Sequence, residues 1–228
     1  MDLKPVATFR APLPEKFGLP RQAGLAESLQ GTVVLEPAFR SPEALRGLEG
    51  FDYLWLIWGF HLNRETASEG LTVRPPRLGG NERVGVFASR SPYRPNPLGL
   101  SSVRIERIDA AAGEIHVLGA DLADGTPIYD IKPYVEYADS HPGVRSGFVD
   151  AHTWKRLKVV LPRETFHKLD PDSIDGLAEI LAQDPRPQYQ DDPERIYGLR
   201  YGDRNIRFKV SDGILTVVAV EIIPTPAP

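Results

Sequence analysis

The chain has 228 residues, with 27 basic and 31 acidic side chains, 41% hydrophobic residues, 22 prolines and no cysteine. This composition is that of a globular protein, neither disordered nor fibrous. The lack of cysteine excludes disulfide scaffolds, iron–sulfur clusters, thiolate zinc sites and cysteine nucleophiles, and it favours a reducing compartment. The longest apolar run, residues 51–60, is about half of what a membrane span needs. We therefore expect a soluble cytoplasmic protein.

The first two-thirds of the chain is predicted to be mainly β. A short helix is expected over residues 41–50, where Ser41 can cap the helix and Pro42 can occupy its first turn. Many short strands with Gly and Pro turns between them predict a barrel or a sandwich. The predicted strands are residues 5–9, 31–35, 51–61, 84–88, 98–107 and 114–118.

The last third changes to a mixed α and β pattern. Apolar residues recur at helical spacing over residues 173–183. Two alternating runs, 205–210 and 214–223, flank an Asp-Gly pair, which is a strong hairpin signal. We place the boundary between about residues 149 and 162, which gives domains 1–150 and 151–228.

The net charge of −4 conceals two adjacent segments of opposite sign. Residues 71–108 hold seven arginines and two glutamates, a net charge of +5, whereas residues 109–150 carry −6. The two segments could neutralise each other across neighbouring strands. Alternatively, an arginine-lined groove could face a phosphate backbone, with carboxylates nearby for chemistry.

Residues 88–102, ASRSPYRPNPLGLSS, form the densest motif. Its three prolines fix the backbone and remove three N–H donors, so that neither a helix nor a central strand can form there. Such a rigid loop presents Arg90, Tyr93 and Arg94 to a ligand at little ordering cost. The alternative is a rigid corner between strands, with the arginines bonded to carbonyls or carboxylates.

Three further predicted loops also combine Gly or Pro with polar side chains, and they cover residues 16–24, 120–127 and 130–140. Several familiar sites are missing, namely the dinucleotide-binding glycine fingerprint, the phosphate-binding P-loop and the G-x-S-x-G elbow. The five histidines are widely separated, which argues against a metal site. The residues by themselves therefore indicate a β-rich domain whose arginine-bearing loops bind a polar or anionic partner.

Four segments together resemble the TrmO family, also called TsaA-like or YaeB-like: GVFASRSPYRPNPLGLSSV, RPPRLGGNERVGVFASRS, ADLADGTPIYDIKPYVEYADS and EKFGLPRQAGL. The segments AQDPRPQY and NIRFKVSDG resemble the C-terminal domain of its bacterial members. This resemblance implies a closed antiparallel β-barrel with a small α+β C-terminal domain. It also implies an S-adenosylmethionine-dependent enzyme that methylates N6 of N6-threonylcarbamoyladenosine at position 37 of tRNA. Members of the family are typically homodimers.

The resemblance also implies a cofactor pocket, whose residues would be Pro20, Arg21, Gln22, His61, Leu62, Arg90, Leu122, Ala123, Asp124, Gly125 and Thr126. Methylation of an adenine N6 would benefit from a proton acceptor, for which the candidates are Asp130, Tyr134 and Asp139. For tRNA we predict stacking on Tyr93 and contacts with Arg74, Arg77, Arg94, Arg204, Arg207 and Lys209. The alternatives are a small-molecule methyltransferase and a noncatalytic RNA-binding barrel of the same fold.

Overall fold

The computed structural model describes residues 2–63, 71–75, 83–151, 155–187 and 192–224. The strands are β1 (Ala7–Arg10), β2 (Gln30–Leu35), β3 (Tyr53–Gly59), β4 (Thr72–Val73), β5 (Val84–Gly85), β6 (Leu98–Asp109), β7 (Glu114–Leu118), β8 (Pro127–Pro133), β9 (Lys158–Val160), β10 (Tyr197–Tyr201), β11 (Arg204–Ser211) and β12 (Ile214–Ile222). The α-helices are α1 (Pro42–Leu45), α2 (Glu136–Asp139), α3 (Arg163–Phe166) and α4 (Ile174–Ala182). Short 3-10 helices cover Pro37–Phe39, Leu48–Gly50, Val86–Ala88, Gly147–Val149 and Pro171–Ser173.

Six strands close into a barrel in the order β1-β2-β7-β6-β3-β8, with every neighbouring pair antiparallel. The predicted closed antiparallel β-barrel is thus confirmed. Side chains alternate across its wall, as strand geometry requires. In β3, Leu54 and Leu56 are buried in the barrel interior, whereas Tyr53 is exposed on the outer face.

The barrel closes through a strand that the sequence reasoning missed. Residues 120–127 and 130–140 were predicted as loops, but β8 pairs with both β1 and β3. Its two prolines, Pro127 and Pro133, occupy the first and last positions of the strand, where proline is tolerated. The predicted strand 84–88 is also shortened to β5, and the predicted helix 41–50 is one α-turn followed by a 3-10 turn.

The C-terminal region forms a second, mixed sheet in the order β10-β11-β12-β9, in which β9 runs parallel to β12. The predicted α+β character is confirmed. Asp212 and Gly213 join β11 to β12 with φ angles of 50° and 75°, which fit the tight hairpin turn that the Asp-Gly pair predicts. Helix α4 matches the prediction 173–183 to within one residue at each end. Strands β9 and β10 were not predicted.

The buried apolar side chains form two clusters. One fills the barrel around Phe9, Leu56 and Ile128. The other lies between α4 and the C-terminal sheet, and it also includes Leu13, Ala26 and Leu29, which belong to the segment between β1 and β2. A division of the chain at residue 150 stays a prediction, because this N-terminal segment packs on the C-terminal core. No helix in the described ranges has the length and apolar character of a membrane span.

Candidate functional site

A cavity of about 610 Å³ lies at one end of the barrel. In an antiparallel barrel, the connections β1–β2, β3–β6 and β7–β8 all leave from the same end, and each of them contributes to the wall. The lining residues are Lys16, Leu19, Pro20, Arg21, Gln22, Trp55, Trp58, Phe60, His61, Leu62, Asn63, Arg90, Pro92, Arg94, Asn96, Leu98, Gly99, Leu100, Asp121, Ala123 and Thr126. The topology therefore gathers loops that are far apart in the sequence around one cavity.

One wall is formed by residues 89–97, which we name the β5–β6 loop. Short local hydrogen bonds hold it: the Arg94 guanidinium donates to the Ser89 carbonyl at 3.1 Å, and the Tyr93 amide donates to the Ser91 hydroxyl at 3.2 Å. Arg90 and Arg94 reach the cavity. Tyr93 is exposed and outside the cavity wall. These local bonds add to the constraint from the prolines, and the rigidity of the loop stays a prediction.

The opposite wall is formed by residues 11–29, which we name the β1–β2 loop. It contains no helix or strand, yet it brings Pro20, Arg21 and Gln22 to the cavity. The side chain of Gln22 accepts a hydrogen bond from Arg90, so the two loops meet. Burial lowers the pKa of the Arg21 guanidinium, and the nearby Asp184 carboxylate opposes that effect.

His61 and Thr126 form a polar pair in the cavity wall. The Thr126 hydroxyl donates to the Ala123 carbonyl at 2.8 Å, and its oxygen lies 3.3 Å from Nδ1 of His61. The Thr126 hydroxyl proton is used in the bond to Ala123, so its oxygen can accept from Nδ1, and the roles of the two ring nitrogens depend on the tautomer of His61. Burial lowers the pKa of His61 and so favours the neutral imidazole. A hydrogen bond to the Asp124 backbone and the charge of Asp124 oppose this shift.

The β7–β8 connection departs from the expected cofactor set. Ala123 and Thr126 line the cavity, but Leu122, Asp124 and Gly125 do not. Leu122 is buried in the barrel core. Asp124 accepts a hydrogen bond from the Ala11 amide at 3.1 Å, and the Gly125 amide donates to the Phe9 carbonyl at 2.8 Å. Asp124 and Gly125 therefore hold the end of β1, and Leu122 belongs to the core, so none of the three lines the cavity.

Asp121 is the acidic residue of this connection that does face the cavity. It is half-buried and accepts a hydrogen bond of 2.5 Å from the Ser101 hydroxyl, which in turn accepts one of 3.0 Å from the Trp58 indole. Burial raises the pKa of the Asp121 carboxyl, while the bond from Ser101 and the charge of Arg90 oppose that rise. Of the two acids in this connection, Asp121 lines the cavity and Asp124 does not, and a cofactor contact of Asp124 stays a prediction.

The charge of the described cavity wall is uneven. Asp121 is its only carboxylate, whereas Lys16, Arg21, Arg90 and Arg94 are cationic. Apolar and aromatic side chains fill the space between the charges, namely Trp58, Phe60 and Leu98, with the Trp58 and Phe60 rings edge to face at 4.4 Å. Such a wall suits a ligand with an aromatic part and charges of both signs.

The three predicted proton acceptors lie on the outer face of the barrel, not on the cavity wall. Asp130 pairs with Lys132 at 2.9 Å. Asp139 accepts hydrogen bonds from the Val135 amide at 2.8 Å and the Trp55 indole at 2.9 Å, and these bonds lower the pKa of its carboxyl. Tyr134 packs against Trp55, with ring centroids 5.7 Å apart. Since Trp55 itself lines the cavity, it connects this group to the site.

The predicted tRNA contacts are spread over three places. Arg94 lines the cavity, and Tyr93 is exposed beside it. Arg74 is exposed next to β4, whereas Arg77 lies outside the described residues. Arg204, Arg207 and Lys209 belong to β11 in the C-terminal sheet, away from the cavity wall. Among the described residues, no group of His, Asp or Glu side chains could hold a metal ion.

Comparisons with known proteins agree with this architecture. The family model of the tRNA-methyltransferase O N-terminal domain matches residues 8–140, and that of the TrmO C-terminal domain matches residues 162–223. The chain belongs to the tRNA-methyltransferase O family. It is therefore a member of a family of methyltransferase enzymes, as the sequence motifs indicated.

Two relatives and one solved structure show how far this similarity extends. The Escherichia coli K12 protein named tRNA (adenine(37)-N6)-methyltransferase is 39% identical over 95% of this chain and 96% of its own length. A Pseudomonas aeruginosa protein, named putative S-adenosylmethionine-dependent methyltransferase RcsF, is 42% identical over 91% of both chains. A crystal structure of TrmO from Pseudomonas aeruginosa superposes with a TM-score of 0.78 at 34% identity, covering 97% of this chain and 98% of that one. The tRNA-methyltransferase O similarity thus includes both the barrel and the C-terminal region.

Proposed function

We propose that this protein uses S-adenosylmethionine to methylate N6 of N6-threonylcarbamoyladenosine at position 37 of tRNA, beside the anticodon. The observation that carries the proposal is the cavity at the barrel end, whose described wall combines one half-buried carboxylate, four cationic side chains and several aromatic ones. The name of the Escherichia coli relative supports adenine 37 as the target.

The cavity residues fit S-adenosylmethionine, which supplies a methyl group on a positively charged sulfur when bound. Trp58, Phe60 and Leu98 offer apolar surface to its adenine and methylene groups. Asp121 is the group that can meet a positive charge, and Arg90 or Arg21 can meet a carboxylate. We retain the remaining cavity-lining residues of the expected set, Pro20, Gln22, His61, Leu62, Ala123 and Thr126, as parts of this pocket.

The RNA base would approach beside Trp55, at the rim where Arg94 and the outer face of the barrel meet. A nucleotide in a single-stranded loop can leave its stack and pack on an aromatic side chain. Of the three predicted proton acceptors, Tyr134 fits best, because its hydroxyl makes no hydrogen bond to the described residues and its ring packs on Trp55. Asp130 and Asp139 are occupied by Lys132 and Trp55.

We also propose that the protein is a cytoplasmic homodimer. Leu71 and Phe87, beside the β4–β5 ribbon, are 70% and 76% exposed, and Leu100 at the cavity rim is 58% exposed. Exposed apolar side chains mark an association surface where they form a contiguous patch, and we propose that these three belong to one. Sedimentation of the purified protein and of its Phe87→Asp variant tests this, and a monomeric wild-type protein would contradict it.

The decisive experiment incubates the protein and labelled S-adenosylmethionine with tRNA from a strain that lacks this gene. Nuclease digestion should place the label on N6 of threonylcarbamoyladenosine at position 37. The matched substrate is the same tRNA without threonylcarbamoyl, which should stay unlabelled. Label in free small molecules would instead support a small-molecule methyltransferase, and no cofactor binding at millimolar concentration would support a noncatalytic RNA-binding barrel.

The role of Asp121 can be tested by charge. Asp121→Asn should weaken binding of S-adenosylmethionine about tenfold or more, because it removes the counter-charge. Binding of 5′-methylthioadenosine, which carries no positive charge, should change little. Calorimetry with both ligands measures the difference, and Glu106→Gln, on the exposed part of β6, is the control. Equal losses for the two ligands would mean that Asp121 only shapes the pocket.

The difference in stability between Asp121→Asn and the wild type should depend on pH. Burial raises the pKa of the Asp121 carboxyl above its unfolded value. The ionised form therefore costs stability, and that cost grows as the pH rises above the usual aspartate pKa. Asp121→Asn should accordingly unfold at a higher temperature than the wild type at neutral pH, and this advantage should disappear in acid. Thermal unfolding across a pH series measures both effects.

A further inference from the structure

The C-terminal region has a second connection with the cavity, through the β1–β2 loop. This loop supplies Lys16, Leu19, Pro20, Arg21 and Gln22 to the wall, but it has no secondary structure of its own. Ordering such a segment costs conformational entropy for every residue. Its conformation must therefore be maintained by contacts with the rest of the protein.

The apolar contacts of the loop are mainly with the C-terminal core. Leu13, Ala26 and Leu29 are fully or nearly fully buried there, and Phe17 and Leu19 pack against the same cluster. Leu19 is also part of the cavity wall, so one side chain links the C-terminal core with the ligand site.

Backbone approaches show how closely the two parts fit. At Gly18, whose φ is +89°, an added Cβ would lie 2.2 Å from Cδ1 of Leu199. At Gly176 in α4, an added Cβ would lie 2.9 Å from the Cα of Leu29. Both distances are shorter than van der Waals contact, so a Cβ at either position would force the Leu199 side chain or the Leu29 backbone to shift.

Polar contacts tie both ends of the loop to the C-terminal region. The Glu179 carboxylate accepts hydrogen bonds from the Ser28 amide at 2.8 Å and from its hydroxyl at 3.0 Å. Near the other end, the Gly202 amide donates to the Pro12 carbonyl at 2.6 Å. Between them, the Gln183 side chain donates to the Leu25 carbonyl at 3.1 Å.

A charged residue of the C-terminal region also acts on the part of the β1–β2 loop that lines the cavity. Asp184 follows α4 and pairs with Arg186 through two bonds of 2.8 and 2.9 Å. Its charge also acts on Arg21, where it opposes the effect of burial on the guanidinium pKa. The Asp184 carboxylate, which is bonded to Arg186, is thus close enough to Arg21 for its charge to affect a cationic residue of the cavity wall.

We propose that the C-terminal region is a scaffold that holds the β1–β2 loop in its ligand-binding conformation, with Glu179 as a positioning residue for cofactor binding. This proposal rests on the proposed function for the identity of the ligand. It is distinct from the expectation that Arg204, Arg207 and Lys209 of the C-terminal region extend the contact with tRNA. A scaffold affects cofactor affinity, whereas an RNA contact affects tRNA affinity.

The test is a double-mutant cycle on the Glu179–Ser28 pair. Glu179→Ala should weaken S-adenosylmethionine binding about five- to tenfold, since it leaves a loop amide without its charged acceptor. Ser28→Ala should have a smaller effect, and the double variant should resemble Glu179→Ala because the two residues act as one unit. Glu179→Gln should restore part of the affinity. Glu164→Ala, an exposed site on α3, is the matched control.

Three readouts separate the outcomes. Calorimetry gives the cofactor affinity, steady-state kinetics gives separate KM values for cofactor and tRNA, and hydrogen exchange reports the amides of Leu19, Arg21 and Gln22. The scaffold predicts a raised cofactor KM, an unchanged tRNA KM and faster exchange in Glu179→Ala. An unchanged cofactor affinity, or a raised KM for tRNA alone, would overturn it.

Hydrogen exchange also keeps the two proposals distinguishable. It needs no ligand, so the loop can be tested even if the wild-type protein does not bind S-adenosylmethionine. Failure of wild-type binding contradicts the proposed function. Normal wild-type binding together with unaltered exchange in Glu179→Ala contradicts the scaffold. Thermal unfolding of each variant verifies that the C-terminal core remains folded.

Discussion

The two loops that face each other across the cavity obtain their order in different ways. The β5–β6 loop is constrained by its own sequence, since it contains Pro92, Pro95 and Pro97 and its hydrogen bonds join residues two to five apart. The β1–β2 loop is ordered by partners more than a hundred residues away, such as Glu179 and Leu199. The conformation of the β5–β6 loop therefore depends on contacts within the loop, whereas that of the β1–β2 loop depends on contacts with distant parts of the chain.

This difference bears on how the site can be altered. A loop fixed by prolines reaches its conformation without help from the rest of the molecule. A loop fixed by tertiary packing is ordered only when its partners are in place, so its stability follows that of the C-terminal core. The two walls are joined where Arg90 donates a hydrogen bond to Gln22, and that contact is the first place to disturb.

The largest effect is expected from Arg90→Ala. Arg90 links the two loops and faces the Asp121 carboxylate. Losing a charged hydrogen-bonding group at this place should weaken S-adenosylmethionine binding about a hundredfold. Arg90→Lys should have an intermediate effect, because it retains the charge without the planar fork. Calorimetry measures both, with exposed Arg46→Ala as the control. Unaltered binding would show that Arg90 serves only the fold.

A second effect separates long-range from local order in the β1–β2 loop. Gly18 and Gly24 both have positive φ, +89° and +79°, but only Gly18 has a neighbour, Leu199, where a Cβ would lie. Gly24→Ala should lower the free energy of unfolding by about 1–2 kcal/mol from backbone strain alone. Gly18→Ala should lower it by about 1–3 kcal/mol more, from overpacking against Leu199. Denaturant unfolding measures the difference, and equal losses would mean that Leu199 moves aside freely.

Features of the fold that depend on neighbouring residues could be predicted from the sequence, whereas features that depend on distant contacts could not. The lack of helix and strand in the β5–β6 loop could be predicted because it follows from closely spaced prolines. The hairpin at Asp212 could be predicted because it follows from one Asp-Gly pair. The strand β8 was not predicted because prolines such as those at its two ends are typical of loops. Proline at the end of a strand nevertheless leaves the hydrogen bonds between the strands intact. The burial of Leu13, Ala26 and Leu29 in the C-terminal core has no local pattern, so sequence reasoning could not find it.

The choice between Asp121 and Asp124 shows the same limit within one motif. Both acids lie in ADLADG, and nothing in that spacing says which side chain faces the cavity. Barrel closure decides it, because the β7–β8 connection must bond to the end of β1, and Asp124 accepts from the Ala11 amide there. Asp121 is directed toward Ser101 and the cavity instead.

The smallest expected effect tests the local wall. Pro95→Ala, at an exposed position of the β5–β6 loop, should lower the free energy of unfolding by only about 0.4–1 kcal/mol, by increasing the entropy of the unfolded chain. It should also weaken cofactor binding about two- to threefold, because binding must now order the loop. Pro14→Ala is the matched change in the β1–β2 loop, where packing on the C-terminal core supplies the order, and it should leave cofactor affinity unchanged. Calorimetry and denaturant unfolding measure both variants. Equal effects on affinity would mean that the prolines of the β5–β6 loop do not preorganise the site.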